Sequence, residues 1–134
     1  MITKVTCALI EQYGRVLITQ RSETMPQAML WEFPGGKVED GETEESSLIR
    51  EIQEELNLSI TPMQRLTPVV QAYGDKTIEL VPYLCQYNEG TIKLTEHRSY
   101  HWVVPQDLAN YDWCPADIPI VREFVAMAGQ QSTT

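Results

Sequence analysis

Residues 35–58 read GGKVEDGETEESSLIREIQEELNL and crowd eight acidic side chains into 24 positions, three of them (Glu51, Glu54 and Glu55) within five residues. Thr43 is placed to cap a helix, Glu44 and Glu45 sit in a first turn whose dipole favours negative charge, and the spacing predicts a helix from about 44 to 57. Leu48, Ile49, Ile52 and Leu56 form one apolar stripe that would dock on a sheet. Asn57 stands where a helix C-cap takes the left-handed conformation. At about 100° per residue the three carboxylates share a flank beside the stripe. Like charges at these spacings cost roughly a few tenths of a kcal/mol per pair, and negative charge late in a helix opposes the macrodipole, so stability does not explain them. A charge run is ordinarily a solvated face. Here Arg50 adjoins the acids, the stripe puts them at the margin of the core, and a glycine-rich turn precedes the helix. A hard divalent cation, which takes carboxylate and backbone carbonyl oxygens, would offset the repulsion.

Outward from this helix the chain is β-rich. VTCALI and RVLITQ, joined by EQYG, predict a hairpin, and residues 22–30 a loop. WEF has the period of a short strand that stops at Pro34, after which Gly35 and Gly36 make a mobile or closely approached turn. LTPVVQAY and TIELVPYLCQY predict a strand pair around GDK, followed by short strands at TIKLT and HWVV. PQDLAN reads as a short helix and DIPIVREFVAMA as a closing helix capped by Asp117. No repeat, linker or low-complexity segment interrupts this pattern, so residues 1–128 are expected to form one domain and 129–134 a polar tail.

The 134 residues are 43% hydrophobic and 22% charged, a globular balance, and no apolar run approaches the roughly 18 residues that span a bilayer. No signal peptide is visible, and the expected location is cytoplasmic, with no membrane partner. Cys7, Cys85 and Cys114 are widely spaced and fit neither a disulfide framework nor a zinc site. A net charge of −9 opposes binding to a nucleic-acid polymer, so a nucleotide ligand would be a small one brought with a cation.

The series Gly36, five residues, Glu42, seven residues, Arg50-Glu51-Ile52, one residue, Glu54-Glu55, one residue, Asn57-Leu58 resembles the Nudix box, departing from it only where Asn57 replaces glycine. LITQRS, WEFPGGK and PADIPIV extend the likeness towards MutT-type and CTP-pyrophosphohydrolase-like members, which also include 8-oxo-dGTP diphosphatases. The resemblance implies an α+β fold, an α/β/α sandwich around a central mixed sheet. It also implies Mg²⁺, with Mn²⁺ as a substitute, and hydrolysis of a nucleoside triphosphate to the monophosphate and pyrophosphate, as in sanitising a nucleotide pool and sparing DNA repair. By the same resemblance Glu51, Glu54, Glu55 and the Gly35 carbonyl are metal ligands, Arg50 orients the carboxylates, and Glu42 holds the loop–helix junction. Glu96 matches a later acid of the family that binds metal or acts as base.

Arg21 matches a base-side or phosphate-side arginine of the family, and Asp117 stands where MutT-type members carry a base-reading Asn. An ionised Asp117 would accept from the exocyclic amine of cytosine, whereas reading a purine carbonyl would require its protonated form. Phe33, Tyr73 and Lys76 are expected as walls of the base pocket, with core packing the stronger claim on Phe33 as a single role. His97 and His101 show no spacing that suggests a role. Two other readings stay open: hydrolysis of a dinucleotide or sugar nucleotide, and a noncatalytic base-recognition module, which the complete set of box acids opposes. Whether the chain is a monomer or dimer is not set by these features.

Overall fold

The computed structural model describes residues 2–132. Its elements run β1 (Ile2–Gln12), β2 (Arg15–Gln20), β3 (Trp31–Glu32), β4 (Gly35–Lys37), α1 (Glu44–Leu56), β5 (Ser59–Arg65), β6 (Val69–Tyr73), β7 (Lys76–Glu89) and β8 (Ser99–Val103). Two 3₁₀ turns (Pro105–Asn110 and Pro115–Asp117) then lead into α2 (Ile118–Ser132). The eight strands form one mixed sheet: β1 and β7 run parallel over ten residue pairs, and every other pairing is antiparallel.

Strand alternation divides the core into two layers. Cys7, Leu9, Val16, Ile18 and Leu80 face α2, where they meet Ile120, Val121 and Phe124. Ala8, Ile10, Leu17, Val81 and Cys85 face α1, where they meet Leu48, Ile52 and Leu56. The expected α/β/α sandwich with a mixed central sheet is therefore present. Among the described residues no helix is long and apolar enough to cross a membrane.

Helix α1 begins at the capping box of Thr43 and Ser46 and ends at Asn57, which is left-handed at φ 60°. Its stripe differs from the expected one at one position. Ile49 is exposed, and the buried Ser47 takes a place on the docked face by donating to the Lys37 carbonyl. The first turn is anchored by Glu44, which accepts from Lys4, Arg65 and Tyr83 of β1, β5 and β7.

Four boundaries depart from the sequence reading. Gly35 and Gly36 lie in strand β4 rather than a turn, because only glycine lets this segment approach β1: a Cβ on Gly35 would collide with the Thr6 carbonyl. β5 was not expected, since Pro62 and its polar side chains obscure the strand pattern; β-bulges accommodate it against β7. Residues 91–95 form no strand, because their donors serve helix α1: Lys93 N–H donates to the Leu56 carbonyl and Thr95 N–H to the Glu55 carbonyl. The closing helix α2 continues to Ser132, so residues 129–132 of the expected tail are helical, while 133–134 lie outside the described residues.

Candidate active site

One cavity of about 310 Å³ opens between β1, β3, β4, β6, α1 and the 90–98 segment. Its lining brings together eight residues singled out from the sequence, namely Arg21, Phe33, Gly35, Gly36, Glu55, Tyr73, Glu96 and Asp117. Lys76 is not among them; it is exposed at the start of β7, across the turn from Tyr73. Glu51, Glu54 and Arg50 stand behind the lining, on the neighbouring face of α1.

At the acidic end, Arg50 is the hub. Its Nε and Nη2 donate to the two Glu42 oxygens at 2.7 and 2.9 Å, and its Nη1 reaches Glu51 at 3.0 Å and Glu54 at 3.3 Å. This fork–fork pairing with Glu42, together with the Glu39 N–H bond to Glu42, ties the 38–42 loop to the helix, the junction role expected of Glu42. The Arg50 guanidinium and the Glu39 amide hold the Glu42 carboxyl down at about 2. Gly36 belongs here for steric reasons, since a Cβ on it would occupy the space of the Glu51 carboxyl.

Glu55 has no such compensation. Burial, the Glu51 charge and the Glu96 charge push its carboxyl up to about 9, and its Oε2 is buried with no hydrogen-bond partner among the described residues. No three His, Cys, Asp or Glu side chains of the described residues already stand as a metal-holding group. The donor set nevertheless fits a hard divalent cation. It is all oxygen, its members repel one another, and one buried oxygen lacks a partner.

The other end of the cavity is closed and aromatic. Asp117 is buried and accepts from the Phe33 N–H through Oδ2 at 2.9 Å. It therefore ties the residue after β3 to the start of α2, where the sequence reading expected it to cap that helix. Burial, and next the Glu32 charge, push its carboxyl well above the ordinary range. Phe33 packs its ring on Trp113 with centroids 5.0 Å apart, so it serves the core and lines the cavity at once. Tyr73 accepts from the Ala116 N–H through its hydroxyl. Arg21 is committed locally, its Nε donating to the Pro26 carbonyl and its Nη1 to Glu32 at 3.0 Å.

Two lining residues were missed in the sequence. Glu32 was read only as part of the WEF strand, yet its carboxylate bridges Arg21 and His97. His97 is buried with its Nε2 on Glu32 Oε2 at 2.9 Å. A lone His beside Glu96 carries no spacing signal that could have revealed this contact. His101 contacts Tyr111 and Trp31 outside the cavity. The three cysteines are free and buried, and burial raises Cys7 and pushes Cys85 and Cys114 up to about 12, so they are unreactive thiols.

Residues 2–124 match the family model described as NUDIX domain. The chain belongs to the Nudix family. It is 35% identical over 124 residues to CTP pyrophosphohydrolase of Escherichia coli K12, covering 92% of both chains. It is 31% identical over 111 residues to 8-oxo-dGTP diphosphatase of the same organism, covering 83% of this chain and 86% of that one. Among solved structures, the solution structure of the E. coli ORF135 protein superposes with a TM-score of 0.82 at 34% identity, covering 94% of this chain and 90% of that one. Nudix hydrolases in general require a divalent metal, which agrees with the oxygen-rich end of this cavity.

Proposed function

We propose that this Nudix hydrolase, an enzyme acting on phosphoric anhydrides, cleaves a nucleoside or deoxynucleoside triphosphate to the monophosphate and pyrophosphate with Mg²⁺, in the manner of nucleotide-pool sanitising enzymes. One observation carries the reading: a single cavity has a repelling carboxylate cluster at one end and a buried carboxyl beside aromatic rings at the other. A triphosphate needs charge neutralisation at one end and a flat, partly polar slot at the other.

Glu51, Glu54, Glu55, Glu96 and the Gly35 carbonyl would hold the metal. When bound, Mg²⁺ neutralises charge on the phosphate oxygens and on the displaced pyrophosphate. Arg50 aims Glu51 and Glu54, and Glu42 fixes Arg50 in turn. Glu54, exposed and bonded by Arg50 at 3.3–3.4 Å, would, beside its place in the metal-holding set, take a proton from an attacking water. Arg21, Phe33, Tyr73 and Asp117 bound the base, and Lys76, outside the cavity lining, would reach the substrate only from the turn above it.

The raised carboxyl of Asp117 keeps its proton to higher pH than an ordinary aspartate. Its Oδ2 accepts from Phe33, so the second oxygen is the one that can donate. That favours a carbonyl on the base over an exocyclic amine, and both cytosine and oxidised guanine offer one. The test is pyrophosphate release with Mg²⁺ from CTP, dCTP, 5-methyl-dCTP, dGTP and 8-oxo-dGTP. Release from one pyrimidine or oxidised purine well above the others supports the reading; no release from any of the five overturns it.

A further inference from the structure

We propose that His97 is a positioning residue, whose grip on Glu32 holds the 90–98 segment so that Glu96 faces Glu55 across the cavity. This rests on the metal-holding role proposed for Glu96. The segment contains no helix and no strand up to Ser99, so hydrogen bonds and the packing of Ile92 and Leu94 on the α1 side of the core fix its path. Upstream of Glu96 the tethers run to the end of α1: Asn57 Nδ2 donates to the Thr91 carbonyl, Lys93 N–H to Leu56, and both Thr95 N–H and its hydroxyl to the Glu55 carbonyl. Downstream the Arg98 N–H donates to the Gln20 carbonyl. Glu96 and Arg98 are exposed, and only His97 between them sends its side chain inward.

The chemistry of that side chain argues for a task beyond packing. Its Nε2 meets a carboxylate that must accept, so Nε2 carries the proton. Its Nδ1 is buried with no partner among the described residues. An unpaired buried nitrogen is a cost that a phenyl ring of similar size would not carry, so the imidazole is favoured for what Nε2 does. Glu32 is itself held by Arg21, which grips the 22–30 loop through Pro26. One chain of contacts, Pro26–Arg21–Glu32–His97, thus connects the loop over the aromatic end to the residue adjoining Glu96.

The experiment uses the full chain and Mn²⁺ alone, with free Mn²⁺ read by electron paramagnetic resonance and thermal melting followed in metal-free buffer. Glutamine places its Nε2 where the imidazole Nε2 sits, whereas asparagine stops one bond short and phenylalanine has no donor. His97→Phe and His97→Asn are expected to raise the Mn²⁺ Kd about tenfold, the lower range for loss of a group that orients a ligand, with His97→Gln staying within about threefold of wild type. Wild type and all three variants should each melt in one cooperative transition well above the assay temperature, which separates misplacement from unfolding. In a Glu96→Gln background, His97→Phe should add nothing further. If Glu96→Gln weakens Mn²⁺ binding while His97→Phe does not, or if His97→Gln is no better than His97→Phe, the positioning role is overturned and the Glu96 role stands. If Glu96→Gln leaves the Kd unchanged, the Glu96 role falls and the His97 role with it.

Discussion

The acidic end of the cavity takes Glu51, Glu54 and Glu55 from one helix and adds only Glu96 and the Gly35 carbonyl from elsewhere, whereas the closed end gathers Arg21, Phe33, Tyr73 and Asp117 from four separate places along the chain. At the acidic end the side chains repel, and Arg50 compensates Glu42, Glu51 and Glu54 while Glu55 is left without a partner for its Oε2 among the described residues. At the closed end polar groups are few, buried and individually partnered, as with Asp117 on the Phe33 amide. The difference teaches that the two ends answer different demands. A cation site must stay electrostatically unsatisfied in the free protein, while a base slot must be dry and shaped in advance.

The largest effect should come from breaking the acidic end. Glu54→Gln and Glu55→Gln are each expected to lower kcat on the order of 10³-fold, as loss of a group that stabilises transition-state charge does, with melting temperature little changed. Pyrophosphate release at saturating Mg²⁺ measures this, and a loss confined to KM would assign the acids to substrate binding instead. Asp117→Asn tests the closed end. As an isostere of the protonated carboxyl that still donates, it should leave kcat/KM for the preferred triphosphate within about threefold, whereas Asp117→Ala should lower it about tenfold, the scale of one buried base contact.

Asp117 also sets a pH dependence that the acidic scaffold should oppose. Its folded pKa lies above the ordinary 3.8, so the folded chain holds a proton that the unfolded chain has released. Its contribution is therefore full at pH below 3.8 and declines as pH rises towards the folded value. Melting of Asp117→Asn against wild type should accordingly become progressively more favourable to the variant as pH rises above 3.8. Glu44 runs the other way. Its bonds to Arg65, Lys4 and Tyr83 hold it at about 2 against an ordinary 4.5, so its contribution is present above 4.5 and lost as pH falls towards 2. Glu44→Gln should cost about 1 kcal/mol at pH 7 and nothing near pH 2, read by denaturant unfolding.

The smallest effect concerns the end of α1. Asn57 is left-handed and also donates to the Thr91 carbonyl. Replacement by glycine, the residue usual in the Nudix box, should change stability by less than about 0.5 kcal/mol, because relief of the backbone is offset by loss of that bond. Asn57→Ala, which cannot take this conformation cheaply, should cost about 1 kcal/mol by the same unfolding measurement.

Legibility followed range along the chain. Thr43, Glu44, Arg50, Glu51, Glu55 and Asn57 were readable because a helix converts spacing into a shared face or a cap within a few residues. The hairpin of β1 and β2 was readable for the same local reason. β5 was not, because Pro62 and its polar residues become a strand only by pairing with β7. Residues 91–95 misled in the opposite sense: their strand-like composition yields to the unsatisfied carbonyls of α1.

By itself, then, the sequence determined an amphipathic, acid-flanked helix within the Nudix pattern, since helical periodicity is a property of neighbours. Only the tertiary structure decided that Asp117 meets an amide 84 residues away and that His97 meets Glu32 across 65. The physical reason is that a buried polar group needs a partner from whichever element packs against it, and that element is chosen by the whole core.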